Sequence, residues 1–297
     1  MRWKAVLRVG VAMAAFAMVT TACGQQQDLG GSGSTPSVAQ GVHFEPGTTM
    51  AKLAEAHTIR IGTKFDQPLF GQQALGGNLT GFDTEVARII AGALGIPPDK
   101  VQWVESPSAQ REELIKQGRV DLVVATYTIN DKRRQQVSFA GPYYLAGQSL
   151  MVKSDNTTIT GPDSLRGAKA RVCSVQGSTP AENIRKYIDP AQLTVFDVYS
   201  KCADALRTGQ VDVVTTDNVV LLGFVSSSNG ADKLVGDTFT KEPYGIGIRK
   251  GDVAFCTFIN NTLTQAATSG AYANAWNTTA GKVAGQTPQL PTFDSCS

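Results

Sequence analysis

The chain has 297 residues with 27 basic and 25 acidic side chains, and setting aside the three cations at its start (Arg2, Lys4, Arg8) leaves 24 against 25. A chain balanced in this way has no electrostatic bias toward nucleic acid or toward an acidic membrane surface. From residue 51 onward roughly 250 residues remain, enough for two medium lobes or one large domain.

Residues 1–22 join those cations to an apolar run from Val9 to Val19 and then to small residues. This is the pattern of a secretory signal, too short to span a membrane permanently. The Thr20-Thr21-Ala22-Cys23 tail predicts processing before Cys23 and lipidation of that cysteine. Thr20 stands where such sites prefer Leu, so ordinary signal cleavage with Cys23 as a bystander is the rival. Residues 23–50 are rich in Gly, Ser, Gln, Thr and Pro without apolar periodicity. They read as a flexible tether that holds a folded domain clear of a lipid surface.

The segment TIRIGT at 58–63 alternates as a short strand. Over 82–94 the spacing puts Phe82, Val86, Ile89, Ile90 and Leu94 on one helical face, with Gly95 and Pro97 ending the helix. Asp83 is expected to cap it. Residues 113–126 (ELIKQGRVDLVVAT) and 204–217 (DALRTGQVDVVTTD) look alike and start 91 positions apart (204 against 113). Each reads as a helix closed by a glycine (Gly118, Gly209) and followed by a β-branched strand. Two such units imply two similar α/β lobes, each built on a largely parallel sheet flanked by helices. Ligands collect at the carboxyl ends of strands in such sheets, which points to Thr126, Thr128 and Asp217.

Cys173, Cys202, Cys256 and Cys296 are too scattered for zinc-type pairs. In an exported chain they suggest two disulfides, with three possible connectivities. The two histidines are His43, in the tether, and His57, at the edge of the first strand. There is no HExxH and no Ser/His/Asp set, so nothing here asks for an enzyme, a metal or a cofactor.

GFDTEVARIIAGALG (81–95), RVDLVVATYTINDKRRQQVSFAGPYY (119–144), VQGSTPAE (175–182) and GQVDVVTTDN (209–218) resemble, in order and spacing, the polar amino-acid-binding proteins of ABC importers, family 3 of the solute-binding proteins. The resemblance covers residues 55–280. IGTKFDQP (61–68) is similar in particular to glutamate-binding members from actinobacteria.

The resemblance implies a type II periplasmic-binding fold. Lobe 1 would comprise 51–147 and 244–297, lobe 2 would comprise 148–243, and crossing strands would lie near 146–150 and 242–246. A hinge cannot tolerate a disulfide between lobes, so the family's fold implies pairing of Cys173 with Cys202 and of Cys256 with Cys296. It also implies the site. Arg133 would take the ligand's α-carboxylate in fork geometry, helped by Thr128 and by Ser178 and Thr179 in the Gly177-Ser178-Thr179 turn that opens a helix. Asp217 would take the ammonium with backbone groups of Ala125 and Thr126, Phe65 would form an apolar wall, and Lys64 would meet a side-chain carboxylate. The implied partners are glutamate or a related polar amino acid (aspartate, glutamine, asparagine), an ABC permease and, through Cys23, the outer face of the membrane, with the protein a monomer. The rivals are a receptor domain that signals to a membrane partner and a dehydratase built on the same fold.

Overall fold

The computed structural model describes residues 37–297. The signal sequence and Cys23 lie outside the described residues.

Helix Thr49–Ala56 starts on Thr48, whose side chain accepts from the Ala51 N–H. Strand β1 (Ile59–Thr63) follows, then a small antiparallel meander of β2 (Asp66–Gln67), β3 (Gly71–Gln73) and β4 (Leu79–Thr80). Helix Phe82–Ala93 buries Phe82, Val86, Ile89 and Ile90 as the spacing predicts. β5 (Val101–Glu105), helix Arg111–Lys116, β6 (Leu122–Val123), helix Asp131–Arg134 and β7 (Ser138–Ala146) complete the first pass through lobe 1. The chain then builds lobe 2 from β8 (Gln148–Lys153), β9 (Val172–Val175), helix Thr179–Asn183, β10 (Leu193–Phe196), helix Tyr199–Arg207, β11 (Val213–Asp217), helix Asn218–Ser227 and β12 (Asp232–Val235). It returns through β13 (Glu242–Ile248) to helices Val253–Thr268 and Ala271–Thr278.

The two five-stranded sheets have the same plan, β5-β1-β6-β13-β7 and β10-β9-β11-β8-β12. Three strands of each are parallel, as the helix-glycine-strand units predict. One strand of each, β13 or β8, runs antiparallel to both its neighbours because the chain arrives from the other lobe without a crossover helix, so the edge strands β7 and β12 run the same way as the parallel three. The outward crossing is at Gly147, between β7 and β8. The return crossing runs through 236–241, ahead of the expected 242–246, since Glu242 already pairs with Ala146 in the first sheet.

The repeated motif has a repeated job. Asp121 accepts from the backbone N–H, Nε and Nη2 of Arg60 at the start of β1. Asp212 accepts from the same three groups of Arg171, just before β9. Each aspartate therefore ties the strand it begins to the neighbouring strand. Gly118 and Gly209 end the preceding helices at φ 65° and 75°, a conformation that side-chain-bearing residues disfavour.

Disulfides join Cys173 to Cys202 and Cys256 to Cys296, with Cα atoms 5.6 and 5.8 Å apart, each within one lobe.

Two expectations are corrected. The tether does not extend to residue 50: Ala39 donates its N–H to the Gly92 carbonyl at 2.9 Å, Phe44 packs edge-on against Phe258 with ring centroids 5.4 Å apart, and Thr49 bonds to Asp252. Val42 and Phe44 supply enough apolar surface to fasten a Gly-rich stretch onto lobe 1. Asp83 does not cap its helix either. Gly81 holds the N-cap position, and Asp83 accepts instead from the Thr126 N–H at 2.7 Å and the Tyr143 hydroxyl at 2.6 Å.

Candidate functional site

The segments just past β6 and β11 meet in a narrow, nearly closed cleft. Ser108, Arg111, Thr126 and Thr128 line it from lobe 1, and Ser178, Thr179, Tyr199 and Asp217 from lobe 2.

Asp217 ends β11 and occupies the N-cap position of helix Asn218–Ser227, yet its side chain makes no cap bond. One oxygen accepts from the Tyr244 hydroxyl at 2.6 Å, and the other is buried without a partner. Burial, and then the nearby Glu242 carboxylate, push its pKa up to about 7. A buried carboxylate with an idle oxygen is strongly favoured to meet a cation or donor.

Lobe 1 buries three cations nearby, of which Arg111 lines the cleft and Lys64 and Arg133 do not. Arg111 is 2% exposed, donates from Nη1 to the Ala125 carbonyl at 2.9 Å, and lies 4.2 Å from the Tyr127 ring centroid. Its Nε is buried without a partner. Lys64, 3% exposed, donates to Ser108 Oγ at 2.9 Å. Among the described residues no carboxylate lies within ion-pair distance of its ammonium. Burial first, and then the charge of Arg111, push Lys64 down to about 7.

Arg133 is buried and spans the lobes. Nη1 donates to the Thr128 carbonyl at 2.6 Å, Nη2 to the Gly177 carbonyl of lobe 2 at 3.1 Å, and Nε faces Glu112 at 3.4 Å. Burial, and then Arg111, lower it to about 10. Each terminal nitrogen still carries a second N–H.

Thr128 and Thr179 bring their hydroxyls within 3.3 Å of each other across the cleft, and Thr179 also donates to buried Glu242 at 2.6 Å. Ser178 caps helix Thr179–Asn183, accepting from the Ala181 N–H at 3.1 Å. Thr126 has φ 44° and gives its N–H to Asp83, so that N–H is not available to a ligand. Ala125 is fully buried with its carbonyl on Arg111. Phe65 is half-buried and belongs to none of the apolar clusters.

Arg111, Ser108 and Tyr199 escaped the sequence reasoning. The repeat could have found two of them: Ser108 and Tyr199 stand at equivalent places, 91 positions apart, as Thr126 and Asp217 do (199 against 108, 217 against 126).

Among the described residues no helix is long and apolar enough to cross a membrane. Residues 59–279 match the family of bacterial extracellular solute-binding proteins, family 3. The glutamate-binding protein GluB of Corynebacterium efficiens is 38% identical over 77% of this chain and 80% of its own length. The ABC transporter glutamine-binding protein GlnH of Bacillus subtilis is 36% identical over 75% of this chain and 81% of its own. Among solved structures, an ancestral arginine-binding protein bound to glutamine superposes with a TM-score of 0.70 at 34% identity, covering 75% of this chain and 97% of that one.

Proposed function

This chain belongs to the bacterial extracellular solute-binding proteins of family 3, and from that premise we propose that it captures glutamate for an ABC importer by shutting its lobes around the ligand. The relatives' names support both glutamate and glutamine. The observation that supports glutamate is Lys64, a buried cation near the buried Arg111 and Arg133 with no carboxylate in ion-pair reach among the described residues. A ligand with a side-chain carboxylate supplies the missing anion, and an amide leaves the cation unpaired.

The remaining roles follow from charge. Asp217, with its idle oxygen, takes the ammonium. Arg133, flanked by the Thr128 and Thr179 hydroxyls, takes the α-carboxylate. Lys64 and Arg111 share the side-chain carboxylate. All ligand charges are then met only when both lobes contribute, which makes the shut state the bound state. The relatives are named as binding proteins, and capture without chemistry fits this set of fixed charges. Processing at Cys23 would tie the protein to the outer face of the membrane by a lipid, and Cys23→Ala should release it into the medium with a correspondingly lighter N-terminus.

Titration calorimetry of Lys64→Met with glutamate and with glutamine tests the substrate. Glutamate should weaken by roughly 2–4 kcal/mol and glutamine should hold. An unchanged glutamate-to-glutamine ratio would leave the side-chain carboxylate without its assigned partner.

A further inference from the structure

We propose that Asp66 is a closure latch: from lobe 1 it caps the first turn of the lobe 2 helix Tyr199–Arg207, and so holds the lobes shut on a ligand it does not touch. The inference rests on the proposed closure around an amino acid.

The helix lacks a cap of its own. Its N-cap position is Val198, which has no hydrogen-bonding side chain, and no side-chain cap bond is made there. The neighbouring Asp197 is paired with Lys201 at 2.8 Å. The Ser200 N–H is served from the other lobe, by Asp66 Oδ2 at 3.0 Å. A carboxylate also suits the positive end of a helix. Asp66 is not among the residues lining the cleft.

The lobes meet with little room around this contact. A Cβ on Gly223, in helix Asn218–Ser227, would come within 2.6 Å of the Pro68 carbonyl oxygen. A Cβ on Gly177 would come within 2.7 Å of Ala109 Cα. The short segment 66–68 thus touches two lobe 2 helices, one through a carboxylate and one backbone to helix face. Parting the lobes takes Asp66 from Ser200 and returns that N–H to water. The latch therefore favours the shut state by the same factor for every ligand, and shows itself as slower release rather than altered preference.

Asp66 has a second influence, because its charge supports the ammonium of Lys64. Two variants separate the effects. Asparagine caps as well as aspartate does, whereas alanine does not. Stopped-flow release rates and titration calorimetry with L-glutamine and L-glutamate provide the readout. For glutamine, Asp66→Ala should weaken binding about fivefold, carried by faster release, the fold-change of a typical lost cap, and Asp66→Asn should stay within about twofold of wild type. For glutamate, both variants should lose affinity, Asp66→Ala the more. Wild-type glutamine release from Asp66→Ala, or Asp66→Asn releasing glutamine as fast as Asp66→Ala, overturns the latch. If wild type binds neither amino acid, the ligand reading falls by itself. The latch is then judged by ligand-free scattering, in which Asp66→Ala should have a larger radius of gyration than wild type; equal radii overturn it.

Discussion

The two lobes share a plan and differ in charge. Strand register makes Gly62 of β1 the counterpart of Cys173 in β9, since they pair with Val123 and Val214, and the 91-residue repeat makes Arg111 the counterpart of Cys202 (202 against 111). Where lobe 2 closes a disulfide between strand and helix, lobe 1 leaves a glycine and an arginine that borders the cleft. Two residues further along, Lys64 answers to Val175, and Thr126 answers to Asp217. Lobe 1 thus brings the Arg111 cation to the cleft and lobe 2 brings the Asp217 anion. In the proposed binding mode a zwitterion held between them is pulled from both sides. The lesson is that the two lobes share a scaffold, Arg-Asp ties included, while the side chains at the strand ends differ in charge.

Removing the single anion from lobe 2 should disturb this division most. Asp217→Asn should weaken glutamate and glutamine alike by roughly 3–5 kcal/mol, because the ligand ammonium loses its counter-charge in a dry site. Calorimetry showing a loss for one ligand only would contradict the assignment.

The staple of lobe 2 should matter for stability and not for selection. A Cys173→Ala/Cys202→Ala pair should lower unfolding free energy by about 3–4 kcal/mol on the chain-entropy account of a loop this long, read by urea denaturation, with the glutamate-to-glutamine ratio unmoved. A shifted ratio would mean that the disulfide shapes the cleft.

A gentler probe is pH. In the free protein Lys64 is protonated below about 7, far under the usual lysine value, and pairing with a ligand carboxylate raises it. Glutamate binding above that pH must therefore take up a proton, and its affinity relative to glutamine should fall by roughly tenfold per unit as pH rises past 7. Asp217 titrates for both ligands and cancels from the ratio. A flat ratio between pH 6 and 9 would remove Lys64 from the ligand.

The smallest effects belong to the paired ties. Asp121→Ala and Asp212→Ala should each cost about 1 kcal/mol of stability. The cost should be greater at Asp121, whose side chain is 17% exposed against 35% for Asp212. Equal and negligible losses would mean that the strands are held by their ladders alone.

Much of this was legible in the sequence, and what escaped has physical causes. The helix over 82–94 and the glycine-ended units announced themselves because their periodicity and φ requirements are local. Thr128, Thr179 and Asp217 were reachable through the resemblance. Arg111 was not, since nothing in SAQREELIK distinguishes an inward guanidinium from a solvated one until tertiary packing turns it onto Tyr127. Asp83 was misread because its position near a helix start suits a cap, while its actual partners, Thr126 and Tyr143, lie 43 and 60 residues away. The tether was overextended because Val42 and Phe44 are too few to make a periodic signal, although they suffice once a groove is there to receive them.

In the proposed closure, that fastened N-terminal stretch bears on which half of the molecule moves. The strap from residue 37 lies on lobe 1, against Gly92 and Phe258, and the far end of the chain is bolted to the same lobe through Cys296. The chain passes between the lobes at Gly147 and at 236–241, so in the proposed closure lobe 2 is the arm that moves against a lobe fastened at both ends of the described chain.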